Sequence, residues 1–317
     1  MLNAKFRSLL NPNETVTAEQ LETDRSLLGF DQAVNRLTRR TFAGSFAGAI
    51  ALVVGGGFIE TPKGFGQTTT VTPAVTDVLN FALNLEYLEA NLYSIVTTGS
   101  QISSTLVGSA PGGITGSPGK LTLAKETTSL FQALAADEIN HINLLRSTIT
   151  ALGGTPISMP NINYAAKGAI TTEAQLYAVT RQFTATGNGA YAGAAQFLIS
   201  NPAVLTAASQ ILGAEGQHLG AVNFEIATSP NAGAAPQTAV DLQDTLPTAT
   251  QYFTVFVAGS SNTTATGQGP GLAPARTPQQ DLGIVFGLST ATTITPPTGT
   301  TSGGFFPTGV NGTIRST

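Results

Sequence analysis

The sequence predicts an all-α core, a four-helix bundle, between an N-terminal export segment and an irregular, partly β C-terminal extension. Three observations carry this. Four long stretches after residue 70 have apolar residues at helical spacing, Gly- and Pro-rich runs separate them, and beyond Pro230 the composition turns to Thr, Gly, Pro, Ala and Ser. The boundaries read as 1–66 for the export signal and linker, 67–229 for the bundle, and 230–317 for the extension packing on it. A chain of 317 residues is long enough to bury a full core.

In the N-terminal segment "LTRRTFAGSFAGAIALVVGGGFIE", Arg39 and Arg40 precede Phe42, and no charge follows from Phe42 to Ile59. Paired arginines before a weakly apolar, Gly-rich run resemble a twin-arginine export signal, which is set aside before reasoning about fold. It implies a periplasmic or cell-envelope location, with cleavage near Gly64 to Gln67. The alternatives are a buried helix or an uncleaved anchor; those 18 residues are at the lower limit for spanning a bilayer, and their glycines weaken an anchor. Membrane attachment follows only if this segment is retained.

The first bundle helix starts near Pro73 to Asp77. Leu79, Leu83, Glu86, Ala90 and Tyr93 form one stripe, with Val78, Leu85, Leu88, Leu92 and Ile95 beside it, so most of its surface is buried. Glu86 and Glu89 interrupt that surface one turn apart. A buried carboxylate costs several kcal/mol unless it is paired, protonated or bound to a cation; the alternative, stronger for Glu89, is a side chain facing solvent. A loop rich in Gly, Ser and Pro leads to the second helix, about Leu121 to Leu152, which "GGTP" stops. The third runs from about Thr172 to Ile199. The fourth has Asn201 as its cap and Pro202 in its first turn.

In the extension, "QYFTVFVAG" alternates like a strand, and "RTPQQDLGIVFGL" has a helix start with Thr277 as cap, Pro278 first and Gln280 completing a capping box. The aromatics of "GGFFPTGVNG" could lock the tail to the bundle. The alternative is a flexible, low-complexity extension.

Composition excludes several chemistries. There is no cysteine, hence no disulfide, thiolate site or cysteine nucleophile. Charged residues are 10% of the chain, and residues 65–317 hold seven bases and twelve acids. Nucleic-acid binding, which needs a clustered basic face, has no support.

Both histidines follow a glutamate by three residues: Glu138 and His141 in "DEINH", Glu215 and His218 in "EGQH". On a helix, residues three apart lie on one face, so each pair can offer a carboxylate oxygen and an imidazole nitrogen to one ion. That mixture suits iron, manganese or zinc. With 18 acids in 317 residues, one such coincidence has a chance of about 6%, and two make accident a poor explanation.

With "LNLEYLEANLY", "DEINH" and "EGQH", the chain from about Asp77 to Ala227 resembles the bacterial ferritin-like superfamily, nearest its exported branch of ferritin-like domain or desiccation-related proteins. In that fold two helices each supply Glu-x-x-His and the other two a Glu each. The resemblance implies metal ligands at Glu86, Glu138, His141, Glu215 and His218, with Glu89 in reserve. It also implies supporting hydrogen bonds from Tyr93, seven residues after Glu86, and from Tyr191. The chain departs from the pattern at Thr184, seven residues before Tyr191, where such proteins usually carry Glu. Glu173 lies eleven residues before Thr184, about 16 Å along the axis, and cannot replace it.

Three outcomes stay open: two ions bridged by Glu138 and Glu215, one ion, or a metal-free relic. The functional readings are accordingly two. One is an exported metal-binding protein with a di-iron or weakened oxidase-type site, iron leading and manganese or another divalent metal as substitutes. The other is a non-enzymatic structural, stress or desiccation-related protein with a degenerate site. Its partners are metal ions and, as a candidate, further copies of itself; the long extension argues against a 24-subunit cage.

Overall fold

The computed structural model describes residues 73–247, 273–293 and 295–317, which belong to one compact unit, residues 67–317. The segment expected to direct export and the strand expected in "QYFTVFVAG" lie outside the described residues. Four long helices dominate: α1 (Val75–Thr98), α2 (Lys125–Ala151), α3 (Glu173–Leu198) and α4 (Pro202–Thr228). The helix pairs α1–α2 and α3–α4 pack most extensively, and α1–α3 and α2–α4 contacts join the pairs. A short helix, α5 (Pro278–Val285), leans on α3. The mainly helical expectation holds. The only regular β structure among the described residues is a two-residue parallel ladder, β1 (Ile114–Thr115) with β2 (Ile162–Asn163), which ties the α1–α2 connection to the α2–α3 connection.

The sequence explains the helix boundaries. Thr172 caps α3, its hydroxyl accepting from Gln175 N while Gln175 Oε1 accepts from Thr172 N at 3.1 Å. Asn201 caps α4, with Pro202 in the first turn, and Thr277 with Gln280 forms the capping box of α5. Replacing Thr172 with alanine removes one orphan-donor partner and is expected to cost about 1 kcal/mol in urea unfolding; an unchanged midpoint would contradict this.

Helix α1 is buried on nearly every side, including polar residues that ordinarily face water. Its asparagines hold the connections in place. Asn80 accepts from Ile157 N at 3.0 Å, and Asn84 exchanges two hydrogen bonds of 2.9 Å with the Asn311 backbone. Phe131 of α2 sits edge-on between Tyr93 and Tyr177, with centroids 5.6 and 5.4 Å away, an arrangement the ring quadrupoles favour. These contacts fix α1 and α2 within the same turns that carry the acidic residues.

The described part of the extension is ordered on the helices. Phe305 and Phe306 are buried, and Phe305 meets Phe183 edge-on at 4.8 Å. Arg276 is 1% exposed; its guanidinium binds Asp241 at 2.7 and 3.0 Å and donates to Ala185 O at 2.7 Å. Its backbone crosses α3 so closely that a Cβ at Gly193 would stand 1.7 Å from the Arg276 carbonyl oxygen. Only glycine allows that approach. A second buried pair, Arg181 with Asp244, tethers the segment after α4 to α3. No helix among the described residues is long and apolar enough to cross a membrane.

Candidate metal centre

The three acids expected as ligands and Glu89, held in reserve, are each almost fully buried: Glu86 (2% exposed), Glu138 (0%), Glu215 (1%) and Glu89 (3%). The solvent-facing alternative for Glu89 is therefore overturned; α1 has no free face at that turn. His141 and His218 are buried beside them, their rings 6.1 Å apart and nearly parallel. The i, i+3 spacing works as the sequence implies. His141 Nδ1 lies 2.8 Å from Glu138 Oε2, 3.2 Å from Glu86 Oε2 and 3.8 Å from Glu215 Oε1. Glu86, Glu138, His141 and Glu215 each place one ligand atom within 4.8 Å of the others, a group that could hold a metal ion.

His218 stands next to this group. Its Nδ1 is 3.0 Å from Glu138 Oε1 and 4.0 Å from Glu215 Oε1, while Nε2 meets Asp137 Oδ2 at 3.2 Å. Asp137 was not singled out from the sequence. It is the first residue of "DEINH", and its neighbour Glu138 points into the core while Asp137 stays half exposed at the His218 edge. An acid on the outer ring nitrogen of an expected ligand histidine, orienting the imidazole, was the available signal.

Tyr93 donates to Glu89 Oε2 at 2.6 Å, one turn away on its own helix, whereas Tyr191 of α3 reaches across and donates to Glu86. Thr184 is fully buried but turned away, its hydroxyl donating to the Thr180 and Arg181 carbonyls of its own helix. Glu173 serves elsewhere, accepting from Ala124 N and Thr127 Oγ1 at the start of α2. No side chain of α3 thus offers an anionic ligand.

Burial dominates the electrostatics. It raises Glu86 to about 7, against the nearby His141 charge, and lifts Glu89 and Glu215 well above the usual carboxylate range, with mutual repulsion adding to the effect. Burial also works to raise Glu138, but the His141 hydrogen bond and the nearness of His218 outweigh it and hold this carboxyl at about 2. Burial would lower His141, yet the carboxylates of Glu86 and Glu138 push it to about 12. For His218, Asp137 and Glu138 overcome burial and raise it to about 10. The metal-free chain therefore keeps Glu138 ionised against two imidazolium rings and stores protons on the other acids.

This sets a pH dependence. Between about 4.5 and about 7, Glu86 keeps its proton in the folded chain and loses it in the unfolded one. The folded state then binds more protons, so stability falls as pH rises through that window, by roughly 3 kcal/mol for this group. Unfolding of the metal-free protein at pH 5 and 7.5 should show a larger loss than a Glu86→Gln variant, in which the other raised groups alone contribute; equal losses in both would contradict the assignment.

Three fully buried atoms of the cluster have no hydrogen-bond partner in the chain: Glu138 Oε1, Glu215 Oε2 and His218 Nδ1. The 3.0 Å approach of Glu138 Oε1 to His218 Nδ1 is close in distance but lacks the alignment of a hydrogen bond. Each such atom costs about 1–3 kcal/mol when left unpaired. A cation among them would satisfy all three, and oxygen with imidazole nitrogen is the ligand set that iron, manganese and zinc take. The residues fit a metal.

No curated protein matches the chain in sequence. Residues 74–227, the four long helices and the whole Glu/His cluster, match the ferritin-like domain family. Over these residues, just under half of the chain, it is similar to the ferritin-like superfamily.

Proposed function

We propose that the chain is an exported protein of the periplasm or cell envelope whose ferritin-like domain binds iron at the buried Glu/His cluster and oxidises ferrous ions. The observation carrying this reading is the convergence of Glu86, Glu138, His141 and Glu215 within 4.8 Å in the buried core, with unpaired carboxylate oxygens among them. Glu86, Glu138, His141, Glu215 and His218 would hold the metal, with Tyr93 and Tyr191 fixing carboxylate orientation. Iron bound there would supply the electrons for reducing oxygen or peroxide; manganese fits the same ligands. The protein's own contribution is to exclude water, hold the ligands in place and release to solvent the protons that metal displaces from the acids and imidazoles. The paired arginines Arg39 and Arg40 support export, with residues 1–66 as signal and linker. The described residues after Pro230 pack against α3, an extension that disfavours a 24-subunit cage. Export is tested by sequencing the N-terminus of the mature protein, expected near Gly64 to Gln67; a retained residue 1 would point to membrane attachment instead.

A second reading rests on Thr184, whose hydroxyl is committed to its own helix. On it the chain is a structural or desiccation-related protein with a degenerate site. One experiment separates the two. Purified full-length protein is loaded with ferrous iron and with Mn²⁺, then assayed for bound metal and ferrous oxidation beside a Glu138→Ala, Glu215→Ala double variant. The proposal expects bound metal and oxidation in the parent and neither in the variant. A parent that stays metal-free after both loadings would favour the second reading, as would unchanged stability after replacing His141 and His218.

A further inference from the structure

The centre divides into two halves, and the division shows where the carboxylate absent from α3 has gone. In one half, Glu86 Oε2 and Glu138 Oε2 face His141 Nδ1 at 3.2 and 2.8 Å. In the other, Glu138 turns its second oxygen, Oε1, to within 3.0 Å of His218 Nδ1. Glu215 also serves both. Its Oε1 lies between the histidines, 3.8 Å from His141 and 4.0 Å from His218, while Oε2 turns towards Gly187 of α3.

Glu89 arrives at the same place. A Cβ on Gly187 would stand 2.8 Å from Glu215 Oε2 and 3.2 Å from Glu89 Oε1, so both carboxylates crowd the space that any side chain at 187 would need. Gly187 lies one turn after Thr184, on the helix that has no acid to offer the centre. The two tyrosines complete the symmetry. Tyr191 takes Glu86 Oε1 and leaves Oε2 on the first half; Tyr93 takes Glu89 Oε2 and leaves Oε1 towards Glu215. The unpaired buried atoms, Glu138 Oε1, Glu215 Oε2 and His218 Nδ1, include the Glu215 oxygen that crowds Gly187 together with Glu89.

We infer that Glu89 supplies, from α1, the fourth carboxylate that α3 lacks, that Gly187 makes the room for it, and that the centre therefore takes two divalent transition-metal cations. Charge supports the count. Four carboxylates with two neutral imidazoles balance two divalent ions, whereas three leave a buried positive charge uncompensated, which a buried core penalises. Glu138, with one oxygen near each histidine, and Glu215, whose Oε1 lies between the two, would be shared by both ions. Glu86 with His141 would complete one position, and Glu89 would join the other beside Glu215 Oε2.

The inference rests on the metal-binding reading above, and the test keeps the two apart. Metal-free full-length protein is titrated with Mn²⁺ by equilibrium dialysis, beside Glu89→Gln, which preserves shape and the Tyr93 contact, and Gly187→Ala, which leaves every ligand in place but fills the gap. Circular dichroism checks that each is folded. The expected result is two equivalents of Mn²⁺ per chain in the parent and one in each variant. Two equivalents retained by both variants, or a parent that binds a single equivalent unaffected by Glu89→Gln, overturns the inference and leaves the metal-binding reading standing. A parent that binds none removes both.

Discussion

Arg276→Ala is expected to destabilise the protein by about 3–5 kcal/mol and to release the C-terminal extension before the helices unfold. The guanidinium is 1% exposed and answers a fully buried Asp241 through two hydrogen bonds, while its third contact satisfies the Ala185 carbonyl. Removing it strands a carboxylate in the core, the costly half of a broken buried pair. A double change, Arg276→Met with Asp241→Leu, removes both charges and should recover much of the loss, since the pair itself contributes little beyond an apolar replacement. Urea unfolding with limited proteolysis reads both effects. A single variant within 1 kcal/mol of the parent, still protected beyond residue 273, would show that the extension is held by something else.

The second large effect concerns Glu138→Gln. Glu138 has an oxygen within 3.0 Å of each histidine, at 2.8 and 3.0 Å, and stays ionised in the metal-free core, held at about 2. The amide keeps the shape and removes the charge. Loss of a partner outside the ligand set typically costs up to about 100-fold in metal affinity, and a bridging ligand should cost more. At a metal concentration near 100 times the dissociation constant, binding stabilises by about 2.7 kcal/mol, and a 100-fold weaker site leaves about 0.4 kcal/mol. The metal-dependent rise in melting temperature should therefore nearly vanish in the variant. An undiminished rise would move the metal away from Glu138.

The pattern of what could be read in advance follows from how far apart the deciding residues lie. Helix identity and caps at Thr172, Asn201 and Thr277 are local, set by neighbours within four residues, and the structure has them where the sequence implies. The Glu-x-x-His pairs are local too: once α2 and α4 are helices, each pair must share a face. Glu89 is different. Whether an acid one turn from Glu86 faces water or the core depends on how many neighbours α1 has, and α1 turns out to be enclosed. The tyrosine pairing also depends on packing, because Tyr191 reaches Glu86 only when α3 lies against α1. Gly187 offered no signal at all within a Gly- and Ala-rich helix, since its meaning comes from two carboxylates on other helices. The Arg276–Asp241 pair spans 35 residues of chain with no periodicity to announce it.

The account stands on the claim that the buried Glu/His cluster is a metal centre, and anomalous scattering from crystals of the metal-loaded, full-length protein tests it most directly. Data collected on both sides of the absorption edge of the loaded metal should give anomalous density among Glu86, Glu138, His141 and Glu215, with elemental analysis of the same preparation reporting the same element. Crystals of fully loaded protein with no anomalous density in that cluster would contradict the claim.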